Sequence, residues 1–436
     1  MDTAKLKTMF PFLPKADAKK QASALKVLSP ADNADFCPVV RFLVCSDAHV
    51  DGRGDESCKR LQTMLRLGYA VADAAKAYRR LDAVMCVGDL TGRGKPVQFQ
   101  AFYDAVAAVK RRETKLLCVL ARAHDGWTMT RAQTHALWQS LSGLSPDFHV
   151  LVGGFHVIGV SASKNDQLIY DDGQIAWLRR ELEKATKDDP KKPVFVLHHE
   201  HVRDTVYGSS AFDGWGETFF ADVLRDFPQV VDLSGHSHYP LNDPRSVWQG
   251  AYTAIGTGAI RYAEFTVDDV RTYHPEGNDA VATCWIVELD KACRLRLRGV
   301  DILAQQVLCD DVLDNPADPQ NRAYMPEKRA AASKPPVFAP GAAIQTKPTE
   351  TGVALTVPAA ASADGTPVVL YRAAAFDEAG AEKAKTWTLP RYYTAQPEKA
   401  VTLHLELQQH GVYTVRVTAE TAWGVQSAPL EAQISI

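Results

Sequence analysis

The sequence predicts a layered α/β domain followed by a smaller all-β domain. Two observations predict the first domain: short apolar runs that end in polar or Gly-containing turns, and helical patterns between these runs. A third observation predicts the second domain, because from residue 342 onward the chain reads as strands only, with apolar and polar residues alternating at period 2. The length of 436 residues, of which 46% are hydrophobic and 23% charged, suits two soluble folded units.

The strands and helices of the first domain follow from these patterns. Five apolar runs predict strands buried on both faces, at 39–47, 81–89, 115–122, 193–199 and 230–236. Helical patterns between them predict crossover connections within an α/β sheet, at 58–80, 97–112, 174–185 and 217–226. Three further runs lack an intervening helix and predict antiparallel additions, at 149–162, 283–290 and 294–303.

The predicted domain boundaries follow changes in composition. Residues 1–37 form an N-terminal extension and residues 38–308 the α/β domain. Residues 309–341 are rich in Pro and lack periodicity, which predicts a linker or an extended surface segment. Residues 342–436 predict a β-sandwich, since about 95 residues suit one such domain.

The end of the second domain has a recognisable pattern. The stretch GVYTVRVTAETAWGVQSAPL resembles the last two strands of fibronectin type III domains, with Tyr413 in the place of their buried Tyr and Gly424 at the turn. The same positions also fit a generic immunoglobulin-like sandwich. The resemblance implies a module that binds or positions a partner, so a protein partner for this domain is expected.

Charge and cysteine usage limit the function classes. The net charge is −3, with scattered Lys and Arg, so no basic surface predicts nucleic-acid or membrane binding. The first 25 residues contain no apolar signal-peptide core. Cys45, Cys86, Cys118 and Cys284 fall inside apolar runs, which favours buried free thiols and a cytoplasmic location, or export if a leader was removed.

Metal-ligating residue types follow four of the five predicted strands. Asp47 and His49 lie two apart, Asp89 follows Gly88, His198 ends a strand, and His236 and His238 repeat the two-apart spacing. We expect these six side chains to converge on one rim of the sheet, where open α/β folds bind ligands. Imidazole and carboxylate ligands favour Mn, Fe or Zn. The other histidines, His199 included, are interpreted as core or surface residues.

The motifs D-x-H, G-D, H and G-H-x-H occur in the order found in the calcineurin-like metallophosphoesterases, which the chain resembles over about residues 42–259. The resemblance implies their layered β-sandwich core flanked by helices. It also implies two metal ions, with Asp47, His49 and His238 at the first, His198 and His236 at the second, and Asp89 bridging. In this family a metal-bound hydroxide attacks phosphorus.

One family motif is altered. The usual G-N-H-D or G-N-H-E reads Arg122, Ala123, His124, Asp125, so the Asn that ligates the second metal is missing. His124 remains and is expected to assist the leaving group. Since even an outer-shell partner contributes about 10–100-fold to metal affinity or activity, the sequence predicts a weakened second site.

Substrate contacts are expected on loops beside the same rim. Arg122, Arg93 and Arg53 are candidates for binding phosphate, with a solvated loop Arg as the alternative reading of each. Tyr207 and Trp215 are the expected contacts from the Gly- and aromatic-rich segment 203–217.

Three functions remain open from the sequence. The first is a metal-dependent phosphoester hydrolase, either a phosphatase or a phosphodiesterase, with catalytic residues His124 and Asp89. The second is a catalytically impaired family member that acts as a binding or scaffold protein, which Ala123 favours. The third is a metalloenzyme that acts on another bond through one tightly held metal.

Overall fold

The computed structural model describes residues 35–162, 169–407 and 409–436. The predicted N-terminal extension therefore lies almost entirely outside the described residues. The chain divides into two compact units, the first formed by Met1–Asn242 with Ser246–Met325 and the second by Asp243–Arg245 with Pro326–Ile436.

The first unit is a mixed α/β domain, as predicted. Its helices are α1 (Glu56–Ala74), α2 (Pro96–Ala107), α3 (Arg131–Ser142), α4 (Asp172–Asp188) and α5 (Ala221–Arg225). Its strands are β1 (Pro38–Cys45), β2 (Ala83–Val87), β3 (Lys115–Val119), β4 (Phe148–Val152), β5 (Phe155–Gly159), β6 (Val194–Leu197), β7 (His201–Val202), β8 (Gly216–Glu217), β9 (Val230–Ser234), β10 (Val247–Gln249), β11 (Thr253–Gly256), β12 (Phe265–Val267), β13 (Val270–Tyr273), β14 (Thr283–Asp290), β15 (Leu295–Asp301) and β16 (Gln306–Leu313).

These strands form two six-stranded sheets rather than one. The first sheet has the order β16-β15-β14-β1-β2-β3, in which β1, β2 and β3 are parallel and β14, β15 and β16 are antiparallel additions. The second sheet has the order β10-β11-β9-β6-β5-β4, with β11, β9, β6 and β5 parallel. The five strands predicted from apolar runs are thus divided between the sheets.

Alternating residues of the strands divide the apolar core into layers. Val40, Phe42 and Val44 of β1 lie in one cluster with residues of β6 and β9, so this cluster fills the space between the two sheets. Leu43 and Cys45 of the same strand belong to a cluster with α1 and α2. A third cluster packs α4 and α5 against the second sheet. The domain is a β-sandwich flanked by helices, which confirms the predicted fold class.

Helix starts in this unit follow local sequence. Asp55 precedes α1, and its side chain accepts a hydrogen bond from the backbone N–H of Cys58 at 2.8 Å. Asp171 caps α4 through the N–H of Gln174 at 2.9 Å. No helix among the described residues is long and apolar enough to cross a membrane.

The second unit is all-β apart from the short helix α6 (Pro326–Ala332), in agreement with the predicted fold class. Its strands are β17 (Pro336–Val337), β18 (Gln345–Thr349), β19 (Gly352–Pro358), β20 (Ala361–Ser362), β21 (Val368–Phe376), β22 (Glu382–Thr388), β23 (Ala400–Glu406), β24 (Val412–Thr421) and β25 (Leu430–Ser435). Antiparallel sheets β18-β19-β23 and β22-β21-β24-β25 contribute to one apolar core.

Two features of this unit bear on the sequence predictions. The hydroxyl of buried Tyr413 donates to the Gln409 carbonyl at 2.8 Å, a contact typical of the tyrosine corner of immunoglobulin-like sandwiches. The fibronectin type III resemblance stays a prediction. The predicted linker, 309–341, is not one continuous connection in the structure: residues 309–313 belong to β16 of the first unit, and α6 and β17 follow.

Candidate metal centre

Loops that follow five strands bring seven side chains together in the first unit. Three of these strands belong to one sheet and two to the other, so both sheets contribute. We call these residues the ligand cluster: Asp47, His49, Asp89, His124, His199, His236 and His238.

Three groups within the ligand cluster have the geometry to hold a metal ion. In each group the possible ligand atoms lie within 4.8 Å of one another. His49 and Asp89 each belong to two of the groups, so the three groups adjoin one another. The groups are Asp47, His49 and His238; His49, Asp89 and His124; and Asp89, His199 and His236.

Distances inside the ligand cluster are short. The Nε2 atom of His238 lies 3.1 Å from Oδ1 of Asp47 and 3.1 Å from Nε2 of His49. On the other side, Nε2 of His199 lies 3.4 Å from Oδ2 of Asp89. Asp47 and His199 are fully buried and Asp89 is almost so, which places two carboxylates close together in a low-dielectric region.

Backbone conformation in the ligand cluster is unusual. Five of its residues have left-handed φ angles: Asp47 (54°), His49 (44°), Asp89 (50°), His236 (72°) and His238 (58°). Among the described residues, only five other non-glycine positions share this feature. Such conformations are unfavourable by roughly 1–3 kcal/mol each and are found mainly where function requires them.

Gly88 is needed for the approach of two loops. Its φ is +94°, and a Cβ atom added there would lie 2.4 Å from Nδ1 of His199. Only glycine therefore lets β2 end in a turn that places Asp89 beside His199.

Two histidine rings are fixed by backbone carbonyls. Nδ1 of His199 donates to the Val87 carbonyl at 2.7 Å, and Nδ1 of His124 donates to the Gly92 carbonyl at 2.8 Å. A carbonyl only accepts, so each Nδ1 carries the proton and each Nε2 is directed toward the carboxylate of Asp89. This arrangement is typical of metal-ligating histidines.

Electrostatics favour ionised carboxylates and a neutral His49. Burial alone would raise the pKa of the Asp89 carboxyl, but the facing His199 imidazole holds this pKa down at about 2. The pKa of Asp47 is likewise held below its usual range, against burial, by His238 and His199. Burial lowers the pKa of His49 to about 3 despite the attraction of Asp89. Ionised carboxylates and neutral imidazoles are the protonation states that bind metal ions.

Several buried polar atoms of the cluster have no hydrogen-bond partner among the described residues. They are Asp47 Oδ1, Asp89 Oδ1, His199 Nε2 and His238 Nδ1. A buried unsatisfied polar group costs about 1–3 kcal/mol, and more if it is charged. Cations held by the grouped ligands would satisfy the two carboxylate oxygens and His199 Nε2, so the residues present fit a site for divalent metal ions.

Sequence comparison agrees with this geometry. Residues 40–240 match the family model described as Calcineurin-like phosphoesterase, and all seven residues of the ligand cluster lie in that range. This range of the chain is similar to calcineurin-like phosphoesterases. No curated protein sequence matches the chain.

Two solved structures of named proteins match part of the chain. GAP50, the anchor in the inner membrane complex of Plasmodium, is 14% identical with a TM-score of 0.43, over 63% of this chain and 88% of that one. The purple acid phosphatase PPD1 from yellow lupin (Lupinus luteus) seeds is 13% identical with a TM-score of 0.45, over 64% of this chain and 55% of that one.

Within the matched range, the structure places His198 outside the ligand cluster. Its Nε2 lies 2.6 Å from Oδ1 of buried Asp232, and its ring packs against Phe220. The neighbouring His199 occupies the cluster position that the sequence assigned to His198. The other five predicted ligands all lie in the ligand cluster.

Strand geometry explains the correction. Phe195 and Leu197 of β6 face the space between the sheets, whereas Val194 and Val196 face the helices. Side chains alternate along a strand, so His199 continues the inner face and His198 the outer face. The run is apolar at every position, so the sequence gives no sign of which face is inward.

The altered phosphoesterase motif keeps two of its four residues in defined roles. His124 lies 4.0 Å from Asp89 through Nε2, and its side chain is 31% exposed, so solvent or a substrate can reach it. Asp125 is fully buried and accepts backbone N–H groups of Leu90, Thr91 and Ala121 at 2.9–3.2 Å. Burial and the nearby Asp89 raise the pKa of Asp125 to about 6. Asp125 therefore joins the loops after β2 and β3.

The arginines predicted to contact substrate have different environments. Arg53 is 81% exposed and pairs with Asp104. Arg122 is exposed, and its charge interacts with the carboxyl group of Glu217. Burial raises the pKa of Glu217, and the positive charges of Arg203 and Arg122 partly offset this rise. Arg93 is exposed on the loop that holds His124 through Gly92. Arg93 directly follows Gly92, whose carbonyl accepts the hydrogen bond from His124.

Aromatic side chains surround the ligand cluster. Trp215 packs edge-on against His236 with ring centroids 4.8 Å apart, whereas Tyr207 packs on Tyr239 and donates to the Thr266 carbonyl at 3.1 Å. Sequence reasoning missed Tyr262, whose ring centroid lies 4.2 Å from that of His238.

Trp127 was missed as well. Its ring centroid is 4.4 Å from that of His124, and it is 54% exposed. Trp127 follows His124 by three residues in the motif loop, and this short spacing could have identified it as a residue of the site.

Proposed function

We propose that this protein is a metal-dependent phosphoester hydrolase. The observation that carries the proposal is that three groups of possible metal ligands, linked through His49 and Asp89, lie inside the range that matches calcineurin-like phosphoesterases. A shared carboxylate can hold two ions close together. When bound, two such ions would polarise the phosphate oxygens and promote attack by water on phosphorus.

The residues of the chain have distinct roles in this proposal. Asp47, His49 and His238 would hold the first ion, and Asp89, His199 and His236 the second. Asp89 would also serve the first ion, because its Oδ2 lies 3.7 Å from Nε2 of His49. The left-handed backbone conformation of five of these residues fixes the directions of their side chains before any ligand binds. The metals are Mn, Fe or Zn, because the donor set consists of imidazoles and carboxylates.

His124 serves as the proton donor to the leaving group. Its Nδ1 is held by the Gly92 carbonyl, so the only nitrogen free to meet a substrate is Nε2. In the protonated form this nitrogen can donate to the departing alkoxide, a role that is worth about 10²–10⁴-fold in rate. The exposed face of the ring supports access by a substrate.

Ala123 makes the second ion site the weaker one. The group Asp89, His199 and His236 offers three ligands, and the methyl group of Ala123 adds none. This absence supports a second candidate, a catalytically impaired family member that binds a partner. We prefer the hydrolase interpretation, because only one expected ligand is missing. Six other possible ligands and His124 are present.

The second unit is proposed to bind or position a partner, as its predicted resemblance to fibronectin type III domains implies.

A cytoplasmic location is also proposed. The eight cysteines are all free, and six of them are buried, which supports a reducing environment.

The leaving group tests the role of His124. Purified protein with Mn²⁺ should hydrolyse phosphoesters, and mono- and diesters of an alkyl alcohol and of nitrophenol should be compared. We expect His124→Ala to reduce kcat by about 10²–10⁴-fold with the alkyl leaving group and far less with nitrophenol, which departs without a proton. Equal losses with both leaving groups would contradict the proposed role.

A further inference from the structure

We propose that Trp127 forms a binding subsite for a planar aromatic leaving group, which rests on the proposed hydrolase function. The substrates would be phosphoesters whose departing alcohol carries an aryl ring or a nucleobase. Trp127 lies next to His124, the residue that meets the departing oxygen. The group attached to that oxygen must then extend past the histidine ring.

The position of Trp127 relative to His124 is the first support. The two ring centroids are 4.4 Å apart with an interplanar angle of 42°. The His124 ring also packs edge-on against His49, with centroids 4.3 Å apart. A row of aromatic rings thus runs from the ligand cluster outward and ends at Trp127.

Exposure of Trp127 is the second support. The residue is 54% exposed, although most tryptophans are largely buried. Its indole N–H has no hydrogen-bond partner in the described part of the chain. An apolar face and a free donor are therefore both open at the edge of the site, where a stacked ring would remove them from water.

The backbone beneath Trp127 is held firmly. Thr91 donates through its N–H and its hydroxyl to Oδ1 of Asp125, at 2.9 and 3.0 Å. The hydroxyl of Thr128, the next residue, donates to the Arg93 carbonyl. A Cβ added at Gly94 would lie 2.5 Å from the Asp125 carbonyl oxygen, so these two loops are in close contact. The indole is therefore presented by a preorganised surface, which lowers the entropy lost on stacking.

Matched pairs of esters test the subsite. One pair is adenosine 5′-monophosphate and ribose 5-phosphate, which differ in the nucleobase. The other pair is the phosphate esters of 2-phenylethanol and 2-cyclohexylethanol, which have similar size and reactivity but differ in planarity. If only diesters are turned over, the methyl diesters of the same alcohols replace them.

We expect the aromatic member of at least one pair to be preferred about tenfold in kcat/KM, within the range of one aromatic stack. Trp127→Ala should remove this preference, so that kcat/KM falls about tenfold more for the aromatic member than for the non-aromatic member. Trp127→Phe should retain most of the preference. A preference in the first pair alone would assign a nucleobase, and a preference in both would assign aromatic groups in general.

Leu151→Ala is a matched control, because Leu151 is 53% exposed on β4 and has no proposed role. Unchanged preference in Trp127→Ala, or equal loss on both members of each pair, would overturn the inference. If the parent protein hydrolyses none of these esters, their binding is measured by calorimetry. A preference for the aromatic esters that Trp127→Ala removes would then uphold the subsite while the hydrolase proposal fails, and equal binding would overturn the subsite.

Discussion

His49 and His238 face each other through their Nε2 atoms at 3.1 Å, and both rings are buried. Two imidazole nitrogens at this distance need a proton or a cation between or beside them, because their lone pairs repel. Asp47 contributes a carboxylate oxygen 3.1 Å from the same His238 nitrogen. The three residues therefore form the tighter of the two proposed ion sites.

Metal titration should reveal two sites of unequal affinity. We expect the site formed by Asp47, His49 and His238 to survive mild chelation and the site at His199 and His236 to lose its ion first. Ala123→Asn should strengthen the weaker site by about 10–100-fold, since it restores an oxygen ligand. Calorimetric titration of the metal-free protein with Mn²⁺ measures both constants. Equal affinities in the parent protein would contradict the weakened site.

Consecutive histidines should behave differently when replaced. His199→Ala should lose the weaker ion and most activity with little loss of stability. His198→Ala should keep the metal but destabilise the fold by about 3–5 kcal/mol, because it leaves Asp232 buried without its partner. Metal content and urea unfolding of both variants separate the two outcomes. If His198→Ala loses the metal and His199→Ala keeps it, then His198 rather than His199 is the metal ligand.

Gly88 should not tolerate a side chain. Gly88→Ala would place a methyl group 2.4 Å from the His199 ring, in a left-handed conformation that disfavours alanine by roughly 1–2 kcal/mol. We expect weaker metal binding at His199 and reduced stability. Gly52→Ala is the control, because a Cβ at Gly52 meets nothing within 4 Å. Full metal binding in Gly88→Ala would show that the two loops can move apart.

His135 should make stability dependent on pH. Burial lowers its pKa to about 4, helped by Arg131, so the folded protein binds a proton less readily than the unfolded chain. A depressed histidine pKa contributes stability above pH 6.5, and this contribution is lost as the pH falls from 6.5 to 4. After allowance for partial exposure, the loss should be about 1–2 kcal/mol.

His135→Gln tests this effect because glutamine does not titrate. Urea unfolding at pH 7.5, 6.5, 5.5 and 4.5 measures the free energy of unfolding of both proteins. The parent should lose stability relative to the variant over this range. Parallel curves would show that His135 titrates at its ordinary pKa in the folded protein.

Sequence patterns located most elements but not their arrangement. The apolar runs predict β1, β2, β3, β6 and β9 to within a few residues, because each run ends at a turn. They do not show that β6 and β9 belong to a second sheet, since strands buried on both faces look alike in either. Helix α3 was missed, although Thr130 and Gln133 form a capping box and Gly143 ends the helix in a left-handed conformation.

The same limits apply to the site. Asp47, His49, Asp89, His236 and His238 could be predicted because short spacings and a glycine mark the ends of their strands. The choice between His198 and His199 depends on which strand face is inward, which an unbroken apolar run conceals. Trp127 and Tyr262 line the site through loops whose course depends on tertiary contacts.

The decisive experiment measures the Mn²⁺ dependence of phosphoester hydrolysis by the purified protein and by Asp89→Asn, a variant of nearly the same shape. We expect turnover that rises with Mn²⁺ in the parent and falls by at least 100-fold in the variant, since loss of the shared carboxylate weakens both ion sites. Hydrolysis that is independent of Mn²⁺, or equal in the two proteins, would contradict it.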